Sequence, residues 1–138
     1  MWHRSFALCL AIVANQSMMA GGLSGVAHAA DHTKDSIETV KTNLAEKKAV
    51  LLDVREQQEW DEGHLKDAQL APLSKLEAGM DVKAFAKDLK KDTIVYCHCR
   101  AGRRALSAAD VLQKAGYDVR PLKQGYEELL KAGLPKAP

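Results

Sequence analysis

The sequence predicts an α/β domain, a mainly parallel central sheet flanked by helices. Three observations predict it. The run at 49–54 is continuous rather than alternating, with one acid near its end, as in a strand buried on both faces, and 93–98 is rich in the β-branched and aromatic residues of a strand. Segments of helical period separate the strands, and no hairpin dipeptide joins them, so the connections read as βαβ crossovers. The chain has 138 residues, 46% apolar and 28% charged, which suits one domain with one core.

Residues 1–29 read as an address rather than as part of the fold. Arg4 is the one Lys or Arg in the stretch, no acid occurs in it, and Phe6 to Ala14 is a run of nine apolar residues. A small-residue stretch then ends in Ala27-His28-Ala29, an A-x-A cleavage site. Spanning a bilayer takes about 20 apolar residues, so the run is too short to be an anchor. The expectation is a signal peptide cleaved after Ala29, a periplasmic protein, and no membrane attachment after cleavage. Cys9 leaves with the leader, and Leu8 before it does not suit a lipoprotein cleavage box. Two thiols, Cys97 and Cys99, then remain in an oxidising compartment.

Residues 30–35 read as a short tail and 36–138 as the domain. Asp35, three residues before Glu38, resembles a capping box. Ile37, Val40 and Leu44 follow on one face of a helix of about three turns. The run 49–54 is the first strand, and 67–71 is a second, short one closed by Pro72. Val82, Phe85 and Leu89 repeat a helical face. Residues 93–98, rich in β-branched and aromatic side chains, form the clearest strand. Leu106, Ala109 and Leu112 mark a helix over 103–115, stopped by Gly116. Residues 117–122 make the last strand, with Pro121 placing its end near an edge. A final helix over 124–131 is ended by Gly133 and Pro135.

Charge and composition exclude several classes of function. Twenty basic and 18 acidic residues give a net charge of +2 with no long run of one sign, unlike a protein that wraps nucleic acid. Aromatics at 5% do not make a stacking platform for single strands. Three cysteines cannot build a disulfide scaffold. One small domain of mixed charge is expected to be a monomer.

The chemistry is expected where the strand at 93–98 hands over to the next helix. In an open α/β sheet, ligands bind at the carboxyl ends of the strands. The segment Cys99-Arg100-Ala101-Gly102-Arg103-Arg104 lies there and runs into a helix N-terminus, whose free N–H groups favour an anion. Gly102 lets the backbone curl so that successive N–H groups point inward, and Arg100, Arg103 and Arg104 add positive charge. A thiol at the start of such a loop has its thiolate favoured, and a thiolate is a nucleophile.

These residues carry a resemblance. Over 36–135 the chain resembles the single-domain rhodanese (sulfurtransferase) family. Leu51-Leu52-Asp53-Val54-Arg55-Glu56, Glu59-Trp60, Gly63-His64-Leu65 and Ala68 look like the family's Asp-Val-Arg and Gly-His-Ile signature. Ile94-Val95-Tyr96 followed by Cys99-Arg100-Ala101-Gly102-Arg103-Arg104-Ala105 looks like its active-site strand and Cys-x-x-Gly-x-Arg loop. Gly116-Tyr117, Leu122-Lys123-Gln124-Gly125-Tyr126 and Lys131 to Pro135 look like its C-terminal block. Two departures stand out. Gln124-Gly125 and Leu129 stand where the family often has a glycine pair and a tryptophan, and Cys97 is an extra thiol. The resemblance implies that Cys99 takes a sulfane sulfur from a small donor such as thiosulfate and passes it to cyanide or a thiol. It implies that Arg100, Ala101, Gly102, Arg103 and Arg104 bind the substrate, and that no metal or organic cofactor takes part.

Rival readings attach to the same residues. A phosphatase or arsenate reductase of the Cys-x5-Arg type fits only from Cys97, which puts Arg103 in place; from Cys99 the position holds Ala105. A non-catalytic rhodanese-like module that binds or carries sulfur is a third reading. Asp53 and Arg55 read as a structural ion pair, His64 as a hydrogen-bonded turn residue, and Trp60 as packing. Cys97 reads either as a small apolar strand residue or as a thiol that resolves a persulfide. Cys97, His98 and Cys99 cannot all converge on a metal, because neighbours on a strand point to opposite faces.

Overall fold

The structure is a computed structural model that describes residues 30–138. The leader and cleavage site expected within 1–29, and Cys9, lie outside the described residues. The elements run α1 (Ile37–Ala45), β1 (Ala49–Asp53), α2 (Gln57–Glu62), β2 (Ala68–Leu70), α3 (Leu73–Glu77), a 3₁₀ turn (Val82–Ala84), β3 (Ile94–His98), α4 (Arg103–Lys114), β4 (Asp118–Pro121) and α5 (Tyr126–Lys131).

The four strands are ordered β2-β1-β3-β4, and every pairing is parallel. β1, the continuous apolar run, and β3 hold the centre, where both faces are covered. β4 is an edge strand, and Pro121, which has no N–H to give, stands at its end opposite Cys97. Alternation along the strands divides the core in two. Leu52, Val95, Cys97 and Cys99 pack with Leu73 and Leu76 of α3 and with Ala105, Ala108, Ala109 and Leu112 of α4. Leu51 and Tyr96 pack on the other face with Val40 of α1 and with Tyr126 and Leu129 of α5.

This order creates the site. After β1 the chain crosses to β2 on one side, and after β3 it crosses to β4 on the other, so the strand order reverses between β1 and β3. Their carboxyl ends lie side by side, Asp53 opposite His98. That crevice is where open α/β sheets take ligands.

Several elements differ from the sequence reading. α1 is capped by Ser36, whose hydroxyl accepts from Thr39 N–H at 3.1 Å, and not by Asp35. Asp35 is taken up by the Tyr96 hydroxyl at 2.7 Å and by Arg120 at 3.0 Å. The helical period at Val82, Phe85 and Leu89 yields only the single 3₁₀ turn. A short segment does not overcome the cost of nucleating a helix, and Val82, Ala86 and Leu89 reach the core through turns instead. α2 and α3, of six and five residues, are too short to show a period and were absent from the reading. α4 buries Ala105, Ala108, Ala109 and Leu112, so its apolar face is turned away from Leu106, which is only half-buried. α5 begins at Tyr126 rather than at 124. The tail at 30–35 is packed: Ala30 is 5% exposed and belongs to the α4-side core.

Candidate active site

Residues 99–102 link the end of β3 to the start of α4. Cys99 is 1% exposed, and its Sγ accepts the Gly102 N–H at 3.0 Å. Gly102 makes this contact from the left-handed region, at φ +89°, and a Cβ there would lie 2.7 Å from the Lys123 carbonyl oxygen. The far side of the loop rests on the start of α5. Tyr126 N–H donates to the Cys99 carbonyl at 2.9 Å. Gly125 approaches so closely that a Cβ on it would stand 1.7 Å from the Arg100 carbonyl oxygen. Gly125, which stands with Gln124 where the family often has a glycine pair, is the seat of the loop.

The three arginines of the loop divide. Arg100 and Arg103 are exposed, with Arg103 opening α4, whose 12 residues point the positive end of their dipole at the loop. Arg104 is not free to meet a substrate. Its two terminal nitrogens donate to the Glu59 carboxylate at 2.6 and 2.7 Å. This bidentate pair ties α2 to the first turn of α4. The Arg104 hydrogen bonds hold the Glu59 carboxyl down to about 2. Glu59 also accepts the Glu56 N–H at 3.1 Å, closing the first turn of α2. The Arg104 side chain is thus a strut between two helices, and Glu59 is its partner in the site.

A second charged group lies under the crevice. Arg55, 5% exposed, donates to both Asp53 carboxylate oxygens, with its Nη2 2.7 Å from Oδ2, and to the Gly63 carbonyl at 2.8 Å. Its guanidinium lies 4.2 Å from the centre of the Tyr126 ring. The pair joins the end of β1 to the turn after α2 and to α5. His98 Nε2 is 3.7 Å from Asp53 Oδ2, and burial pushes the imidazole below its ordinary range, towards the neutral form. Arg55, Glu59, Gly63, Arg100, Tyr126 and Lys136 line a cleft of about 360 Å³ beside the loop.

Cys97 is buried as Cys99 is, but its hydrogen bond runs the other way. It is fully buried, and its Sγ donates to the Ala105 carbonyl at 3.4 Å. Burial first, and then the neighbouring Cys99, push its thiol up. A Cys-x5-Arg enzyme would need this sulfur ionised, and burial favours its neutral form. The thiols of Cys97 and Cys99 lie in the α4-side core, whereas the His98 imidazole lies against Asp53. Trp60 stacks on His64 with ring centroids 3.6 Å apart, and His64 Nδ1 stands 3.1 Å from the Trp60 carbonyl, so both serve the turn at Gly63.

The profile of the family described as "Rhodanese-like domain" matches residues 36–132. The chain belongs to that family. The rhodanese-like domain superposes on the human single-domain sulfurtransferase TSTD1 with a TM-score of 0.61 at 29% identity, covering 70% of this chain and 94% of that one. The solution structure of HP1203 from Helicobacter pylori superposes with a TM-score of 0.55 at 34% identity, covering 66% and 79%. A protein of Schizosaccharomyces pombe named "Putative thiosulfate sulfurtransferase, mitochondrial" is 34% identical over 85 residues, 56% of this chain and 59% of that one. The match thus spans under two thirds of that relative's length.

Proposed function

We propose that this rhodanese-like domain is a sulfurtransferase. It moves a sulfane sulfur from thiosulfate or a related donor to a thiophilic acceptor, cyanide or a thiol, through a persulfide on Cys99. The observation that carries this reading is the Gly102 N–H set on Cys99 Sγ at the N-terminus of α4. A donor aimed at sulfur stabilises negative charge there, and the helix end adds to it.

The chemistry takes two displacements. The Cys99 thiolate attacks the outer sulfur of thiosulfate. A new S–S bond forms, the old one breaks, and sulfite leaves with its electron pair, so the total charge is unchanged. The persulfide carries its charge on the outer sulfur, about 2.05 Å beyond Sγ. In this reading that sulfur meets the remaining amides from Arg100 to Arg104, which serve as an oxyanion hole does. Cyanide then takes the outer sulfur as thiocyanate, and the thiolate returns. Arg100 and Arg103 draw the anionic donor to the loop. Arg104, bound to Glu59, holds the start of α4 in place. Neither step calls for a metal or organic cofactor. The names of the human and fission-yeast relatives support this class of reaction. Export through the 1–29 leader, cleavage after Ala29 and action as a periplasmic monomer on small molecules complete the proposal.

Incubation with thiosulfate followed by mass analysis tests it. The peptide that holds Cys99 is expected to gain one sulfur atom, and added cyanide to release it as thiocyanate. A chain that loads no sulfur, or that hydrolyses an aryl phosphate instead, overturns the proposal. A chain that loads sulfur but yields it to no small acceptor is a carrier and overturns the enzymatic half.

A further inference from the structure

We propose that His32 is a positioning residue for the Cys99 loop, delivered by a strap of residues 30–35 that lies ahead of the matched rhodanese-like domain. Its effect on turnover rests on the sulfurtransferase reading; its effect on the thiol does not.

The strap is fixed at several points. Ala30 sits in the α4-side core, and its backbone N–H donates to Asp110 Oδ1 on α4 at 2.9 Å. Thr33 N–H donates to the Pro121 carbonyl at the end of β4 at 2.8 Å. The Asp35 carboxylate accepts from the Tyr96 hydroxyl at 2.7 Å and from Arg120 at 3.0 Å, and these two contacts lower its pKa. Between these anchors the chain has little freedom, and it sets His32 Nε2 2.9 Å from the Gly102 carbonyl oxygen. A carbonyl only accepts, so Nε2 carries the proton and donates.

Gly102 therefore has both of its backbone polar groups committed. Its N–H holds the Cys99 sulfur, and its carbonyl is held by His32. The residue needs this restraint. Glycine is the most conformationally permissive residue, and this one stands in the left-handed region at the point where the loop turns into α4. A Cβ placed on it would meet the Lys123 carbonyl oxygen at 2.7 Å and His32 Nε2 at 3.1 Å, so both groups press close on this residue. His32 thus acts on the sulfur through one residue: it fixes Gly102, and Gly102 aims its amide at Sγ. The family match begins at residue 36, so the strap lies ahead of the segment that the family profile covers.

The test compares the wild-type protein with His32→Phe and His32→Gln. The first readout is the rate at which iodoacetamide alkylates Cys99 at neutral pH, with the modified residue located by fragment mass. His32→Phe is expected to slow alkylation by about three- to tenfold, the share that one hydrogen bond carries. His32→Gln keeps an N–H donor for the carbonyl and is expected to recover most of the rate. In thiosulfate turnover the same loss falls on kcat and leaves KM unchanged. Thermal unfolding of His32→Phe is expected to fall by no more than the share of one hydrogen bond; His32→Ala, which removes the donor without adding bulk, is expected to slow alkylation as His32→Phe does. A His32→Phe protein that alkylates at the wild-type rate overturns the proposal. So does a His32→Gln protein no better than His32→Phe, which would mark a merely structural contact. If wild type fails to turn over thiosulfate while alkylation still responds to His32, the sulfurtransferase reading falls and the positioning role stands.

Discussion

Cys97 and Cys99 are two residues apart, both buried against the same layer of helix, yet the fold gives their sulfurs opposite hydrogen bonds. Cys97 lies inside the ladder, opposite Leu52 on one side and Pro121 on the other. Its sulfur donates, to the Ala105 carbonyl. Cys99 lies one residue past the last strand position, where the backbone is released to the loop. Its sulfur accepts, from Gly102 N–H. A sulfur that donates must keep its proton, whereas a sulfur that accepts can carry charge. One strand thus ends in two thiols whose hydrogen bonds run in opposite directions, and the proposed chemistry belongs to the one that accepts.

The sharpest way to break this contrast is to remove each sulfur in turn. Cys99→Ser is expected to lower thiosulfate–cyanide turnover by at least about a thousandfold, because the hydroxyl is a poor nucleophile at neutral pH. Cys97→Ser is expected to stay within about threefold of wild type, since the serine hydroxyl can still donate to the Ala105 carbonyl, and to cost about 1 kcal/mol in urea unfolding. The reverse pattern would return the nucleophile to Cys97 and with it the Cys-x5-Arg frame.

The next test moves the loop and leaves the strand alone. Gly125→Ala forces a methyl group onto the Arg100 carbonyl, so the loop must shift. Turnover and Cys99 alkylation are each expected to fall by more than about tenfold, and unfolding to cost about 1–3 kcal/mol, as over-packing does. Cys97 should remain unreactive. Equal reactivity of the two thiols in this variant would show that the strand, and not the loop, protects Cys97.

A smaller effect is expected from the strut. Arg104→Ala frees Glu59 and loosens the start of α4, at a cost of about 1 kcal/mol once solvent screening of this half-buried pair is allowed for. The pH dependence has a definite sign. The folded carboxyl of Glu59 lies at about 2, below its unfolded value of 4.5. The stabilisation is therefore full above about pH 4.5 and is lost as pH falls towards about 2. Glu59→Gln is expected to flatten urea unfolding midpoints across that window. An unchanged slope would show that the pair contributes nothing.

The smallest effect belongs to His98, the residue between the two thiols. Burial holds its folded imidazole below the ordinary 6.5, so the unfolded chain binds the proton first. Stability from this group is full above about pH 6.5 and falls as pH drops below it. The urea midpoint is expected to decline between about pH 7.5 and about pH 5.5, and the decline to shrink in His98→Gln. A midpoint that rises on acidification would mean that Asp53 stabilises a charged His98 in the fold.

The parts of the molecule that could be read from sequence share one property: their cause lies within a few residues. β1 and β3 are apolar on both faces, which only a strand covered on both sides tolerates. Cys99 and Gly102 are three apart, so the turn that aims the amide at the sulfur is written locally. α2 and α3 escaped because one or two turns show no period. Asp35 looked like a cap because its spacing to Glu38 fits one; the hydroxyl of Tyr96, 61 residues away, claimed it.

The amino-acid order alone sufficed for an α/β sheet of parallel strands and for a cysteine at the mouth of a helix, since period, chain freedom and cap chemistry act over a turn or two. It did not suffice for the partners that hold this cysteine's loop in place. Glu59 reaches Arg104 across 45 residues, and His32 reaches Gly102 across 70. Gly125 underlies the Arg100 carbonyl only once the crossover after β4 has brought α5 beneath the loop. Those contacts depend on which way each crossover turns and how closely the layers stack, quantities that no short stretch of chain contains.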